Sequence, residues 1–134
     1  MKKRLRKKLA KKAKSDSEFA QRIEPGIPDD VISVLATECW RLRKTAQRLP
    51  NPDRALVESI AQRSEDALRI IQTEIEDWTG RAFDDGLTAS VLVRENSTDL
   101  GHGEQRVIDT VAPAIYRSGK LIQRPQVVVA VGRS

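Results

Sequence analysis

The chain has 134 residues, enough for one domain of ordinary size or one small domain with an arm. Hydrophobic residues make up 39% of it and charged residues 32%, and no apolar run approaches the roughly 18 residues that span a bilayer. A single cysteine, Cys39, excludes an internal disulfide and favours a reducing, cytoplasmic compartment.

The formal net charge of +5 is unevenly distributed along the chain. Residues 1–14 carry seven Lys and two Arg without an acid; subtracting these nine from 24 leaves 15 basic against 19 acidic residues elsewhere. We predict a basic, disordered arm and connector over residues 1–28, because Pro25, Gly26 and Pro28 oppose a sustained helix. Residues 1–14 are either a solubilising tail with weak polyanion contact or a dedicated contact to nucleic acid or lipid.

Two amphipathic helices are predicted within residues 29–79, the first from about Asp29 to Leu49 and the second from about Pro52 to Trp78. The sharp Pro50-Asn51-Pro52 link indicates an antiparallel helical hairpin. Each helix has an apolar seam with steps of mainly three and four residues, which pairs the helices and could also form a homodimer. The first seam consists of Ile32, Leu35, Cys39, Leu42, Ala46 and Leu49. The second consists of Leu56, Ile60, Leu68, Ile71, Ile75 and Trp78 and is interrupted by the polar Ser64.

Residues 80–134 predict short strands. Apolar and polar residues alternate from Leu87 to Arg94 with Leu92 as the one exception, which is typical of a strand with one wet face. A polar loop follows over Glu95 to Gln105. Three apolar runs then predict a small antiparallel sheet, with a hairpin turn at Arg117-Ser118-Gly119-Lys120. The last run, Gln126 to Val131, is typical of a strand buried on both faces.

The predicted fold class is therefore α+β. An N-terminal antiparallel helical hairpin, residues 29–79, precedes a small all-β C-terminal domain, residues 80–134.

Four motifs occur in a characteristic order over roughly residues 75–132: Gly80 with Phe83-Asp84, then Tyr116, Arg124-Pro125 and the Val-rich run from Val127 to Val131. This order resembles the C-terminal β-domain of GrpE-type nucleotide exchange factors. Two positions depart from the family pattern, since Ala114-Ile115 stands where a Gly is usual before the Tyr and Gln126 where an Ala is usual. The long N-terminal helix of that family is largely missing.

The resemblance implies a co-chaperone in protein folding and the stress response, which binds the nucleotide-binding domain of a DnaK-type ATPase and promotes ADP release. It places the chaperone contact on the β-domain. Arg124 is then the expected contact, with Pro125 fixing the local backbone, Tyr116 as an anchor and Arg117 as a flanking residue. The residues alone leave other roles open, because Tyr116 could pack on the sheet and Arg124 could be an edge charge that opposes strand addition.

The chain shows no catalytic constellation. His102 is its only histidine, the Asp84-Asp85 pair has no partner across a cleft, and no glycine pattern matches a phosphate-binding loop. We predict a non-catalytic binding protein that has no metal, cofactor or small-molecule substrate. The alternative to the exchange factor is a dimeric adaptor whose basic arm, residues 1–14, binds nucleic acid or an anionic membrane.

Overall fold

The computed structural model describes residues 26–133, so the predicted basic arm and most of the connector lie outside the described residues. Two helices are followed by a β region of two small sheets, which confirms the predicted α+β class. The elements are α1 (Asp29–Ala46), α2 (Asp53–Ile70), β1 (Thr73–Glu76), β2 (Ser90–Ser97), β3 (Gln105–Ala112), β4 (Ala114–Arg117), β5 (Lys120–Gln123) and β6 (Gln126–Gly132).

The two helices form the predicted antiparallel hairpin. Helix α1 starts directly after Pro28, with Asp29 and Asp30 in its first turn, where carboxylates complement the positive end of the helix dipole. After Ala46 the chain continues to Leu49 with tighter i→i+3 hydrogen bonds, so regular helix ends three residues before the predicted end.

The predicted end of the second helix is wrong. Helix α2 stops at Ile70, Gln72 takes a positive φ of 57°, and β1 follows at once. Ile75 therefore lies on a strand and not on the helical seam, and Trp78 lies in the loop after it. The physical reason is that Ile71, Thr73 and Ile75 are β-branched, which lowers helix propensity and suits the pairing of β1 with β4.

The β region is more complex than the predicted small antiparallel sheet. Sheet A has the antiparallel order β1-β4-β5, and sheet B has the order β2-β6-β3. In sheet B, β6 lies between two strands that precede it in the chain, parallel to β2 and antiparallel to β3. The parallel pair departs from the predicted antiparallel sheet. Parallel strands cannot be joined by a tight turn, and here the three strands between β2 and β6 provide the long connection that such a pair needs.

Two local predictions in the β region are confirmed. Ser118 and Gly119 have φ values of 52° and 79°, as the two-residue turn of the β4–β5 hairpin requires. Strand β6 is central in its sheet, with Val127, Val129 and Ala130 buried and Val128 and Val131 half-buried, and the fully buried Pro125 lies directly before it. The polar loop is shorter than predicted and covers residues 98–104, because β2 extends through Ser97 and β3 begins at Gln105.

The elements stack in three layers with sheet A in the middle. One face of sheet A carries Ile115 into a core cluster with Ile32, Leu68 and Ile71 of the hairpin region. Its other face packs on sheet B through a second cluster, which contains Ala114 together with Trp78, Phe83, Val107, Val127 and Val129. The hairpin and sheet B are therefore the two ends of the stack.

Candidate protein-binding surface

Tyr116 sits in the middle layer, on β4 of sheet A. It pairs with Glu74 on one side and Leu121 on the other, and its side chain packs against the cluster between the sheets. The residue is half-buried and borders a shallow hollow of about 370 Å³ that also includes Arg69 and Gly119. Tyr116 thus contributes to sheet packing and still presents part of its surface.

Arg117 is held inside the molecule. Its guanidinium donates hydrogen bonds to the carbonyl oxygen of Ile27 at 2.6 Å and to Oδ1 of Asp29 at 2.9 Å, and its side chain is only 11% exposed. These contacts tie the β4–β5 hairpin to the start of α1. A role for Arg117 in docking a partner would therefore be indirect, through the position of the hairpin.

Arg124 and Pro125 form the link from sheet A to sheet B. Arg124 is exposed, whereas Pro125 is fully buried and its carbonyl accepts a hydrogen bond from the Ser90 backbone N–H at 2.9 Å. Because proline restricts φ, this link has a fixed path, and Arg124 is carried at the junction of the two sheets. The four predicted contact residues do not form one cluster, since Arg117 lies at the turn end of the β4–β5 hairpin and Arg124 beyond its open end.

Asp77 forms a junction that sequence reasoning missed. Its Oδ2 accepts hydrogen bonds from Trp40 Nε1 and Lys44 Nζ, both at 2.9 Å, and its Oδ1 accepts one from the Thr79 backbone N–H at 2.9 Å. Burial alone would raise the pKa of Asp77, but the hydrogen bonds from Lys44, Thr79 and Trp40 outweigh it and hold that pKa well below its usual range. The junction fastens α1 to the loop that follows β1.

A cleft of about 540 Å³ lies beside this junction, between the hairpin and β1. Two pairs of opposite charges line it: Arg43 donates to both Glu65 oxygens at 2.7 and 2.8 Å, and Lys44 contacts Asp77 at 2.9 Å. Because each of these two cations already faces a carboxylate, the cleft has no clear preference for an anion or a cation. We assign it no ligand.

The predicted seam residues divide between the inside and the outside of the hairpin. Ile32, Leu68 and Ile71 are buried, and Leu42, Leu49 and Ile75 are half-buried. Leu35 and Ile60 are instead exposed, and together with the exposed Val31 and Leu56 we call them the outer face of the hairpin. Its residues and their exposed fractions are Val31 (44%), Leu35 (50%), Leu56 (61%) and Ile60 (43%).

The residues considered for chemistry have structural roles or lie at the surface. Asp84 accepts a hydrogen bond from the Gly86 backbone N–H at 2.7 Å, and Asp85 pairs with Arg94 at 3.1 Å. His102 lies in the exposed loop between β2 and β3. Cys39 packs against the hairpin cluster, where burial, with a smaller effect of Glu65 and Glu38, raises the pKa of its thiol.

Within residues 26–133, no group of three or more His, Cys, Asp and Glu side chains is arranged to hold a metal ion. Neither α1 nor α2, the helices of that part of the chain, has the length and apolar character needed to cross a membrane.

No protein-family model matches this chain, and no curated protein matches it.

Proposed function

We propose that this protein is a cytoplasmic co-chaperone that binds the nucleotide-binding domain of a DnaK-type ATPase and promotes ADP release. The observation that carries the proposal is the double-sheet β region, in which buried Pro125 holds exposed Arg124 at the junction of the sheets. The other residues of the GrpE-like pattern have consistent structural roles around it. Phe83 and the Val-rich β6 contribute to the core between the sheets, and Gly80, with a φ of 90°, turns the chain after β1.

Such a function needs no catalytic side chain. The protein must bind the open, nucleotide-free ATPase more tightly than the closed, ADP-bound form. ADP then weakens the complex by the same factor, because the coupling between two binding sites is reciprocal. A thousandfold change in ADP affinity requires a coupling free energy of about 4 kcal/mol.

A wedge that holds another protein open must itself keep its shape. Three sets of side-chain contacts support this property by fastening the hairpin to the β region. Arg117 bonds to Ile27 and Asp29, Asp77 bonds to Trp40 and Lys44, and Gln123 donates to Thr37 Oγ1 at 3.0 Å.

The direct test measures release of a fluorescent ADP from purified DnaK-type ATPases with and without this protein. We expect faster release with at least one ATPase, and a complex that dissociates when excess ADP is added. Unchanged release with every ATPase tested, together with no complex, would refute the proposed function.

Self-association through the outer face of the hairpin is the second part of the proposal. The two helices of the hairpin leave four aliphatic side chains exposed, and packing against the same side chains of a second copy, as in a four-helix bundle, would remove them from water. The test is the molar mass by light scattering. We expect a dimer for the natural chain and a monomer for Leu56→Glu; the same mass for both would exclude this face as the dimer contact.

The adaptor remains a second candidate because residues 1–14 carry nine positive charges. Salt-sensitive retention on DNA or on anionic vesicles, lost when residues 1–14 are deleted, would support it. Nucleotide-dependent capture of a DnaK-type ATPase that survives the same deletion would support the exchange factor.

A further inference from the structure

Each helix of the hairpin carries a row of side chains in steps of three and four residues, and residues with this spacing are neighbours on a helix surface. The α1 row consists of Val31, Leu35, Glu38 and Leu42. The α2 row consists of Leu56, Ile60, Arg63, Ala67 and Ile70. Leu42 is half-buried and the other members are exposed. Each row is therefore aliphatic except for one charge, which is negative in α1 and positive in α2.

Both rows lie on the side of the hairpin away from sheet A. The opposite side is identified by its contacts, because Trp40 of α1 bonds to Asp77 after β1, and Glu65 and Arg69 of α2 line the cleft beside β1. Successive residues are turned by about 100° around a helix, so the members of each row lie about 120–180° from these side chains. The two rows thus share one surface, which includes the outer face of the hairpin.

The antiparallel register of the helices places the two opposite charges at the same height along the hairpin. At the loop end, the guanidinium of Arg54 donates a hydrogen bond to the carbonyl oxygen of Gln47. Nine residues further from the loop, the two helices carry Glu38 and Arg63. Because both helices rise by the same distance per residue, these two side chains are level with each other.

The two level charges are not paired with each other within one chain. Glu38 pairs through Oε1 with Arg41 at 2.8 Å, and both side chains are 59% exposed. Such an exposed pair contributes little to stability, and it leaves Oε2 of Glu38 able to accept another bond. Arg63 forms no ion pair in the part of the chain that the structure describes. Both charges can therefore bind a partner outside their own chain.

A second copy can cover the two rows in two symmetric ways that keep the rows in full overlap. If the two-fold axis runs across the helices, each row lies on the same row of the partner, and Glu38 meets the partner's Glu38. If the axis runs parallel to the helices, the α1 row lies on the partner's α2 row at unchanged height. Glu38 then faces the partner's Arg63, and aliphatic residues face aliphatic residues on both sides of the pair. The charges therefore favour the second arrangement.

We propose that this protein forms a two-fold dimer in which α1 of each copy packs on α2 of the other, and that a Glu38–Arg63 pair, formed twice across the interface, selects this orientation. The inference rests on the self-association proposed above and adds the residues that orient it. Apolar burial supplies most of the affinity, while the charges determine the geometry, as they do at the edges of coiled coils. Because the rows face away from sheet A, both β regions lie on the outer sides of the dimer.

Charge reversal tests the pair. Arg63→Glu brings like charges together twice in each dimer and should raise the dissociation constant of the dimer at least about tenfold at low ionic strength, and Glu38→Arg should do the same. The double variant restores opposite charges and should return the constant to within about threefold of the natural value. Sedimentation equilibrium measures these constants. Arg106→Glu makes the same charge change at an exposed position of sheet B and should leave the constant unchanged.

Two results would overturn the inference while the self-association stands. One is a dimer that neither single reversal weakens, and the other is a weakening that the folded double variant does not reverse. A natural chain that stays monomeric at every concentration would overturn both proposals. None of these results decides whether the protein promotes ADP release, which is measured separately.

A milder pair of variants applies if circular dichroism shows that a reversal disturbs the fold. Glu38→Gln and Arg63→Gln each remove one charge and should weaken the dimer by about threefold. The double variant should be no weaker than either single variant, because one substitution already removes the pair. Independent losses that multiply in the double variant would overturn the pairing.

Discussion

The two interfaces of sheet A differ in how they are held together. Toward sheet B, contact is made mainly by a continuous cluster of valines and aromatic rings around Trp78 and Phe83. Toward the hairpin, the apolar cluster around Ile115 is accompanied by polar contacts at Arg117, Asp77 and Gln123. Contact between sheets A and B therefore depends chiefly on apolar burial, whereas the position of the hairpin depends also on a few directed hydrogen bonds.

The largest expected effect is in the interface between the sheets. Phe83→Ala removes a ring that is 7% exposed and should lower the free energy of unfolding by about 3–5 kcal/mol. Urea unfolding followed by circular dichroism measures this loss. A change below about 1 kcal/mol would mean that the sheet interface does not depend on this ring.

Arg117→Ala should have a smaller effect, confined to the hairpin. It leaves the Ile27 carbonyl and Asp29 without their partner, at a cost of about 1–3 kcal/mol. Hydrogen exchange should become faster in α1 and α2 and stay unchanged in β6. Equal acceleration in β6 would show that the hairpin and the sheets open together.

The Asp77 junction predicts a dependence of stability on pH. Because the pKa of Asp77 is lower in the folded than in the unfolded protein, its contribution is fully present above the unfolded value of about 4 and is lost as the pH falls toward the folded value. The natural chain should therefore lose more stability than Asp77→Asn between about pH 5 and pH 2. Parallel losses in the two proteins would contradict this role for Asp77.

Arg124→Ala should have the smallest effect on stability. The residue is exposed, so the free energy of unfolding should change by less than about 0.5 kcal/mol, whereas ATPase binding and ADP release should weaken. Lys120→Ala, which replaces an exposed charge at the β4–β5 turn, provides a comparison for loss of charge alone. If Arg124→Ala slows ADP release no more than Lys120→Ala does, Arg124 makes no specific contact with the ATPase.

Local signals in the sequence predicted the elements that depend on local physics. Pro28 with Asp29 marked the start of α1, and Ser118-Gly119 marked the turn of a hairpin. The end of α2 could not be predicted in this way, because Ile75 continues the spacing of the helical seam although it lies on a strand. What decides its conformation is pairing with Ile115, forty residues further along the chain.

The candidate surfaces were predictable only in part. The proposed contact residue Arg124 was identified from the order of the motifs, and the structure shows that it is exposed. The side chains that share a face of sheet B could not be predicted, because strict alternation assigns Leu92 and Val93 to opposite faces and only the bulge between Val91 and Val93 brings them to one. The Asp77 junction could not be predicted either, because Trp40 and Asp77 are 37 residues apart in the sequence and only the fold brings them together.

The central position of β6 affects the order in which the molecule can fold during synthesis. Sheet A and the helical hairpin are complete once Gln123 has been made, whereas β2 and β3 have no central strand between them until Gln126–Gly132 emerges. The nascent chain therefore carries two unpaired strands with exposed aliphatic side chains, a form prone to aggregation. A protein proposed to assist a chaperone would, for that interval, itself be a candidate chaperone client.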